Sequence, residues 1–420
     1  MPAAKIESWG RYPVPRHVEE RPVVWRSDPL PQGSTRLLAF GRGRSYGDCC
    51  LNDGGTLLTT GTLDRFISFD AATGVLRCEA GVSLGEILAL VVPRGWFLPV
   101  VPGTSHVSVG GAIANDIHGK NHHRVGTFGR HVRRLELLRS DRGRVECGPG
   151  DPLFAATVAG LGLTGLVTWA ELQLRTVPGA RVRVETVPFG TLAEFFALAA
   201  ESDARFEYTV AWLDCLSRVG RGIFFRGDHA EGAAAPASPR LAVPIDLPGF
   251  LLNPLTVRAF NFAYALKRPG TRVVDAHPFF FPLDAVGSWN RIYGRRGFFQ
   301  FQCVVPERAA IAELVDAVAR SGMGSFLSVI KSFGDLESPG LLSFPRKGPT
   351  LTLDFANRGA ETLALLDRLE AIVAAAGGAL YPAKDARMSK ETFARSYPRR
   401  AEFEALRDPA FSSSFWQRVA

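Results

Sequence analysis

The hydrophobic positions fall into two regimes along the chain. Between residues 37 and 177, short β-like runs are broken by glycine: TRLLAF (35–40), GTLLTT (55–60), GVLRCEA (74–80) and GLVTWAELQLRTV (165–177). SLGEILALVVPRG (83–95) predicts a short helix, because Ser83 and Glu86 stand three apart as a capping box. PLFAATVAG (152–160), with Asp151 as cap, predicts another. From about residue 180 the rhythm changes. RVRVETVPF alternates as a strand, TLAEFFALAAES reads as a helix capped by Thr191 and Glu194, and FEYTVAWLD is again strand-like. Residues 229–260 are rich in Ala, Pro and Leu without a period and predict a mobile or surface-lying insertion. FFQFQCVVP (298–306), a helix across 307–320, SFLSVIKSF (325–333), LTLDFA (351–356), a helix over 360–376 ended by Gly377 and Gly378, and a strand carrying ALYPAKD complete the series. The order strand, helix, strand, strand, helix, strand predicts an antiparallel sheet backed by helices, hence an α+β fold.

Composition narrows the function classes. The 420 residues are 46% hydrophobic, enough for two domains and against disorder. The net charge of +8 suits anionic ligands, but the cations form only short clusters at 130–134 and 395–400. No nucleic-acid recognition module is visible. Six scattered cysteines, without a CxxC pair, argue against a disulfide scaffold or structural zinc. No stretch reaches the roughly 18 apolar residues of a membrane span, and residues 1–10 lack a signal-peptide core. A cytoplasmic protein is expected, with peripheral attachment to the inner face of the membrane left open.

Two Gly-rich segments carry the candidate chemistry. Gly41-Arg42-Gly43-Arg44-Ser45-Tyr46-Gly47 follows a strand-like run, and its backbone N–H groups can wrap a diphosphate. It has neither the following long helix of a dinucleotide fingerprint nor the Gly-Lys-Ser/Thr ending of a P-loop. The second segment runs from Pro102-Gly103-Thr104 through Ser108-Val109-Gly110-Gly111 to Ala114-Asn115-Asp116-Ile117-His118-Gly119-Lys120-Asn121-His122-His123. Its small residues admit a flat aromatic ligand or a diphosphate against the backbone. Its polar block is dense in titratable groups. His122 and His123 are adjacent and no second ligand cluster is apparent, so no metal site is expected.

These segments, with GTFGRHV (126–132), GLTGLV (162–167), AWLD (211–214), FFPLD (280–284), WNRIYG (289–294), GFFQFQ (297–302), SFLSVIKSFG (325–334), LSFP (342–345) and YPAKD (381–385), resemble the vanillyl-alcohol-oxidase family of PCMH-type FAD enzymes. Within it they are most similar to the branch that oxidises decaprenylphosphoryl-β-D-ribose. The likeness covers nearly the whole chain. It implies a PCMH-type FAD-binding domain (1–180) and an antiparallel-sheet substrate domain (181–385) with an insertion at about 229–275. A C-terminal segment (386–420) is expected to pack back on the first domain. It further implies that 41–47 and 102–104 hold the diphosphate side. Residues 108–117, together with Asn121, Leu166 and Val167, would lie along FAD, and Tyr381 would approach it. Many relatives attach FAD through a histidine in the first loop. That loop has none here, so non-covalent FAD is expected.

Oxidation of a secondary alcohol needs a base for the hydroxyl proton and an acceptor for hydride. By resemblance Lys384 is the leading base, its plain alternative being a strand-end lysine paired with Asp385. His118 and Lys120 would stabilise developing negative charge, and Tyr46 would close the flavin edge. Gln300 and Gln302 alternate with aromatics and predict one hydrogen-bonding face. Lys331 reads as pocket-lining or snorkelling, and Trp212 as an apolar or stacking wall. Thr352 stands where family members carry a cysteine, and Phe280 and Phe281 where they are more polar. The resemblance implies oxidation of the ribose 2′-hydroxyl of a polyprenylphosphoryl ribose to the keto sugar. A short-chain reductase partner would then complete epimerisation to arabinose, and a quinone-like carrier would take the electrons. The alternatives are an oxidase or dehydrogenase of a free sugar, polyol or aldonolactone, or a non-catalytic lipid- or nucleic-acid-binding protein.

Overall fold

A computed structural model describes residues 6–16, 19–33, 36–234 and 241–420. Two sheet systems organise the first part of the chain. Leu37–Phe40, Thr56–Thr59 and Glu19–Pro22 form a small parallel sheet with Thr56–Thr59 in the middle. Phe66–Asp70, Val75–Glu79, Leu166–Gln173, Val132–Arg139 and Gly143–Cys147 pair antiparallel in that order. Helix Leu84–Val91 packs Leu84, Ile87, Leu88 and Val91 into the core beneath. The Ser83–Glu86 capping box is present in both directions. Helix Pro152–Thr157 is shorter than its sequence suggests. Asp151 sits at the cap position, but its carboxylate accepts from the Gly148 N–H behind it.

The second part is an eight-stranded antiparallel sheet from Arg181 to Leu380. Helices Leu192–Arg205, Arg308–Ser321 and Ala360–Ala375 bury their apolar stripes against it. The period of two divides its central strands. Phe299, Phe301 and Cys303 join the core under the helices, as do Leu351, Leu353 and Phe355. Gln300, Gln302, Thr352 and Lys331 face the other way, into a cavity. Thr191 caps its helix through the Glu194 N–H, whereas the Glu194 carboxylate accepts from Gly190.

One sequence expectation is filled in and one is corrected. The aperiodic insertion contains ordered elements: strand Leu241–Ala242 beside Val286–Gly287, helix Pro254–Ala265, and edge strand Gly270–Asp275 beside Arg181–Phe189. Residues 235–240 of that insertion lie outside the described residues. Its period is weak because much of its apolar surface faces outward. YPAKD is not a strand: the strand stops at Leu380 and Pro382–Lys384 turn as a 3-10 helix, since Pro382 cannot donate to a ladder. The last residues meet the first sheet. Leu37 N–H donates to Ala410 O, and Ser412 N–H donates to Leu37 O. Among the described residues no helix is long and apolar enough to cross a membrane.

Candidate active site

One cavity of about 730 Å³ opens between the Gly-rich segments and the free face of the large sheet. Its first wall is the loop 41–46. Gly43 takes φ +61°, which a side chain disfavours, and a Cβ there would meet the Phe40 ring. Helix Val109–Ala114, capped by Ser108 Oγ on the Gly111 N–H, forms the floor. Its glycines leave the backbone open where Gly110 and Gly111 line the cavity. Pro102, Gly103 and Thr104 form the next side. Asp284 fixes this turn by accepting from Thr104 Oγ1 (2.5 Å), Ser105 N (2.8 Å) and Ser105 Oγ (2.6 Å). Leu166, Val167, Ala114, Asn115 and Ile117 also line the space. Tyr381 donates its hydroxyl to Asn115 O at 2.7 Å, which ties the turn before Lys384 to the helix end.

The opposite wall comes from strand register. Trp212 pairs with Val329, Val329 with Thr352 and Thr352 with Gln302, which sets four cavity residues in one row. Gln300 stands opposite Asp354 and donates Nε2 to its Oδ1 at 2.6 Å. Gln302 Nε2 lies 2.9 Å from His118 Nε2. An amide N–H donating to that nitrogen leaves His118 Nδ1 carrying the proton.

Electrostatics set this wall apart. Burial lowers Lys384 to about 7, with nearby Lys331 reinforcing the shift and Asp354 opposing it. Burial likewise lowers Lys331 to about 8 and, with Lys331 nearby, Lys120 to about 7. His118 falls well below its ordinary range, first through burial and then through Lys331, so it is neutral. Burial raises Asp354 to about 7. Lys384 Nζ lies over the Tyr46 ring, 3.7 Å from its centroid. The Asp385 carboxylate engages Arg418 and the N–H groups of Arg387 and Met388, which displaces the simple Lys384–Asp385 pairing. Lys120 Nζ donates to Phe280 O at 2.9 Å and lies near the Phe279 and Phe280 rings.

Six expected cofactor contacts, Gly47, Val109, Ala112, Ile113, Asp116 and Asn121, do not line the cavity. Ala112 and Ile113 are fully buried in the core, and Asp116 accepts from the Gly129 N–H and the Ser338 and Ser343 hydroxyls. Val109 is the first helical residue, and its side chain is fully buried in the core beneath. Asn121 turns away and donates Nδ2 to Pro99 O at 2.9 Å. Gly47 is packed against the C-terminal turn, where a Cβ would fall 1.5 Å from Asp385 O. The remaining proposed cofactor and substrate residues line the cavity together. Sequence reading missed Asp354, although it shares a strand face with Thr352 two positions earlier. It also missed Phe260, Tyr264 and Lys267 of the insertion, which line the cavity without any motif to mark them.

The residues fit a flavin. Arg44 Nε, His118 Nδ1, Trp212 Nε1 and Gln300 Oε1 are buried without a protein partner, and all four residues line the cavity. Buried polar atoms of this kind call for a polar ligand. A glycine-lined floor beside them admits a flat ring and a diphosphate. Among the described residues no group of three or more His, Cys, Asp or Glu is gathered as metal ligands.

Comparison with known proteins agrees. A family model described as an FAD binding domain matches residues 29–148. The chain is 37% identical over 419 residues to decaprenylphosphoryl-beta-D-ribose oxidase of Mycolicibacterium smegmatis, covering 92% of this chain and 90% of that one. It is 35% identical over 366 residues to an uncharacterised protein of Streptomyces coelicolor, covering 80% of this chain and 100% of that one. An alditol oxidase of Streptomyces sp. is 32% identical over 120 residues, 29% of each chain. The chain thus belongs to the family of PCMH-type, two-domain α+β FAD-dependent oxidoreductases that includes decaprenylphosphoryl-beta-D-ribose oxidase, enzymes that act on CH–OH groups.

Proposed function

We propose that the chain oxidises the ribose 2′-hydroxyl of a polyprenylphosphoryl-β-D-ribose to the 2′-keto sugar. The observation that carries this reading is Lys384. It is a partly buried lysine with a pKa near 7, beside Tyr46 in the cavity that fits the flavin. When bound, FAD supplies the hydride acceptor. The unprotonated Lys384 amine takes the hydroxyl proton. His118, neutral and carrying its proton on Nδ1, donates toward developing negative charge, and Lys120 and Lys331 add positive potential. Gln300 Oε1, left free because its amide nitrogen is held by Asp354, accepts from a sugar hydroxyl. Trp212 supplies a flat wall, and Thr352 and Gln302 complete the row that positions the sugar.

The lipid part has support of its own. Of the fourteen exposed large hydrophobic side chains among the described residues, nine lie between Leu241 and Val273. Helix Pro254–Ala265 carries Leu255 and Phe262 outward while its Phe260 and Tyr264 reach the cavity. A prenyl tail leaving the cavity therefore meets apolar surface, and the same patch seats the protein at the inner face of a membrane. A quinone-like acceptor and a short-chain reductase acting on the keto sugar belong to this reading; nucleic acid does not.

Product trapping tests it. The protein is incubated with farnesylphosphoryl ribose and an electron-accepting dye, then treated with borodeuteride. The reading expects one deuterium at C2′ in a mixture of ribo and arabino products. Label at another carbon, or none while the dye is reduced, contradicts it.

A further inference from the structure

The cavity's interior cations are poor anchors for a phosphate. Lys384, Lys120 and Lys331 are only partly exposed, deep in the cavity, and an anion drawn in beside them loses most of its hydration. Lys267 is different. It lies just past the C-terminus of helix Pro254–Ala265, is exposed, and still lines the cavity. Its ammonium sits 3.7 Å from the Tyr264 ring centroid, which holds it at the mouth. No carboxylate lies within ion-pair distance of it among the described residues. Tyr264 in turn packs on Trp212 at 4.7 Å between ring centroids, so the cation borders the aromatic wall of the sugar site. On the same helix and its C-terminal cap, Leu255, Phe262 and Leu266 are all strongly exposed.

From this order we infer that Lys267 forms a phosphate subsite at the cavity mouth, recognising the phosphoryl group that joins an interior sugar to an exterior isoprenoid chain. The sequence of surfaces matches the sequence of chemical groups. Polar groups and neutral-prone amines lie inside, the exposed Lys267 borders the aromatic wall, and exposed apolar side chains follow on the same helix; the other exposed cavity cation, Arg42, is paired with Glu86. A phosphate there stays near water, so the ion pair forms without the full desolvation cost of an interior site. The subsite also explains selection. A free sugar satisfies the interior but forgoes both the ion pair and the apolar contact, whereas a prenyl alcohol keeps the apolar contact but forgoes the ion pair and the sugar contacts. The inference rests on the proposed substrate class for its sugar end, but the phosphate end is testable by itself.

Binding of farnesyl phosphate and of farnesol to the FAD-loaded protein is measured by quenching of protein fluorescence at low and high salt. Wild type is expected to prefer the phosphate, and Lys267→Gln to weaken its binding about tenfold while farnesol binding moves little. Lys267→Arg restores the preference, and the salt sensitivity disappears in Lys267→Gln. A purely structural role for Lys267 would shift both ligands together. In parallel, half-saturation of flavin reduction by farnesylphosphoryl ribose rises in Lys267→Gln by more than the limiting rate falls. No phosphate preference in wild type, or an undiminished one in Lys267→Gln, overturns the subsite. If the preference behaves as expected but farnesylphosphoryl ribose does not reduce the flavin, the subsite stands and the proposed sugar substrate falls.

Discussion

The Lys384 ammonium lies over the face of the Tyr46 ring, 3.7 Å from its centroid, although the two residues come from opposite ends of the chain. The contact favours the charged amine, and burial opposes it. Burial wins, since the net position is near 7. Lys384→Ala is therefore expected to keep its FAD and to lose flavin reduction by substrate about 10²–10⁴-fold. Anaerobic reduction kinetics check this, and an unchanged rate would remove Lys384 from the chemistry.

The pH profile follows from the same amine. Below about 7 Lys384 is protonated and cannot accept the hydroxyl proton. The limiting rate of flavin reduction is expected to climb through that region and level off above it. A rate independent of pH between 6 and 9 (roughly the range over which such a lysine titrates) would exclude it as the base.

Lys331 links the cavity to stability. Burial lowers its folded pKa to about 8, below the ordinary lysine value of 10.5. Across that window the unfolded chain holds the extra proton, so stability rises with pH. Lys331→Met is expected to raise the melting temperature at pH 7 and to reduce the rise between those two values. Calorimetry across the window shows whether the slope changes; an identical slope in both proteins would place the amine in water.

The C-terminal helix clamps the end of the Gly-rich loop 41–47 through Arg418. Its guanidinium meets Asp48 at 2.7 and 3.0 Å and Asp385 at 3.0 Å. Asp48 and Asp385 flank Gly47 and Lys384 respectively. Arg418→Ala leaves two buried carboxylates without their cation, a loss of about 3–5 kcal/mol. Chemical denaturation is expected to show that loss together with weaker FAD retention. A variant as stable as the parent would mean that water replaces the arginine.

Thr352 decides how the pocket meets thiol reagents. It lines the cavity, where it offers a hydroxyl, and of the two cavity thiols burial pushes Cys49 up to about 12 and Cys50 well above the ordinary thiol range. Alkylating reagents are expected to leave the activity intact, whereas Thr352→Cys becomes open to inactivation. Rapid inactivation of the parent would point to another reactive cysteine.

Much of this site was legible because its chemistry sits on motifs. The glycines of 41–47 and 110–111 and the polar block 115–120 are contiguous, and the alternation Phe299-Gln300-Phe301-Gln302 announces its two faces. What sequence reading missed depends on tertiary placement. Val109 and Asn121 lie inside a motif, yet helical rotation and the Pro99 carbonyl turn them away. Asp354 acquires meaning only from the register that sets it opposite Gln300. Phe260, Tyr264 and Lys267 belong to a stretch without apolar period, because its hydrophobic side chains are shared between the cavity and the outer surface.

The most direct test of the central claim is anaerobic stopped-flow observation of the flavin absorbance. The FAD-loaded protein is mixed with farnesylphosphoryl ribose and, separately, with ribose, arabinitol and an aldonolactone. Rapid bleaching by the lipid-phosphate sugar, with slow or no bleaching by the others, is the predicted result. Rapid bleaching by a free sugar, polyol or lactone, with none by the lipid-phosphate sugar, would contradict it.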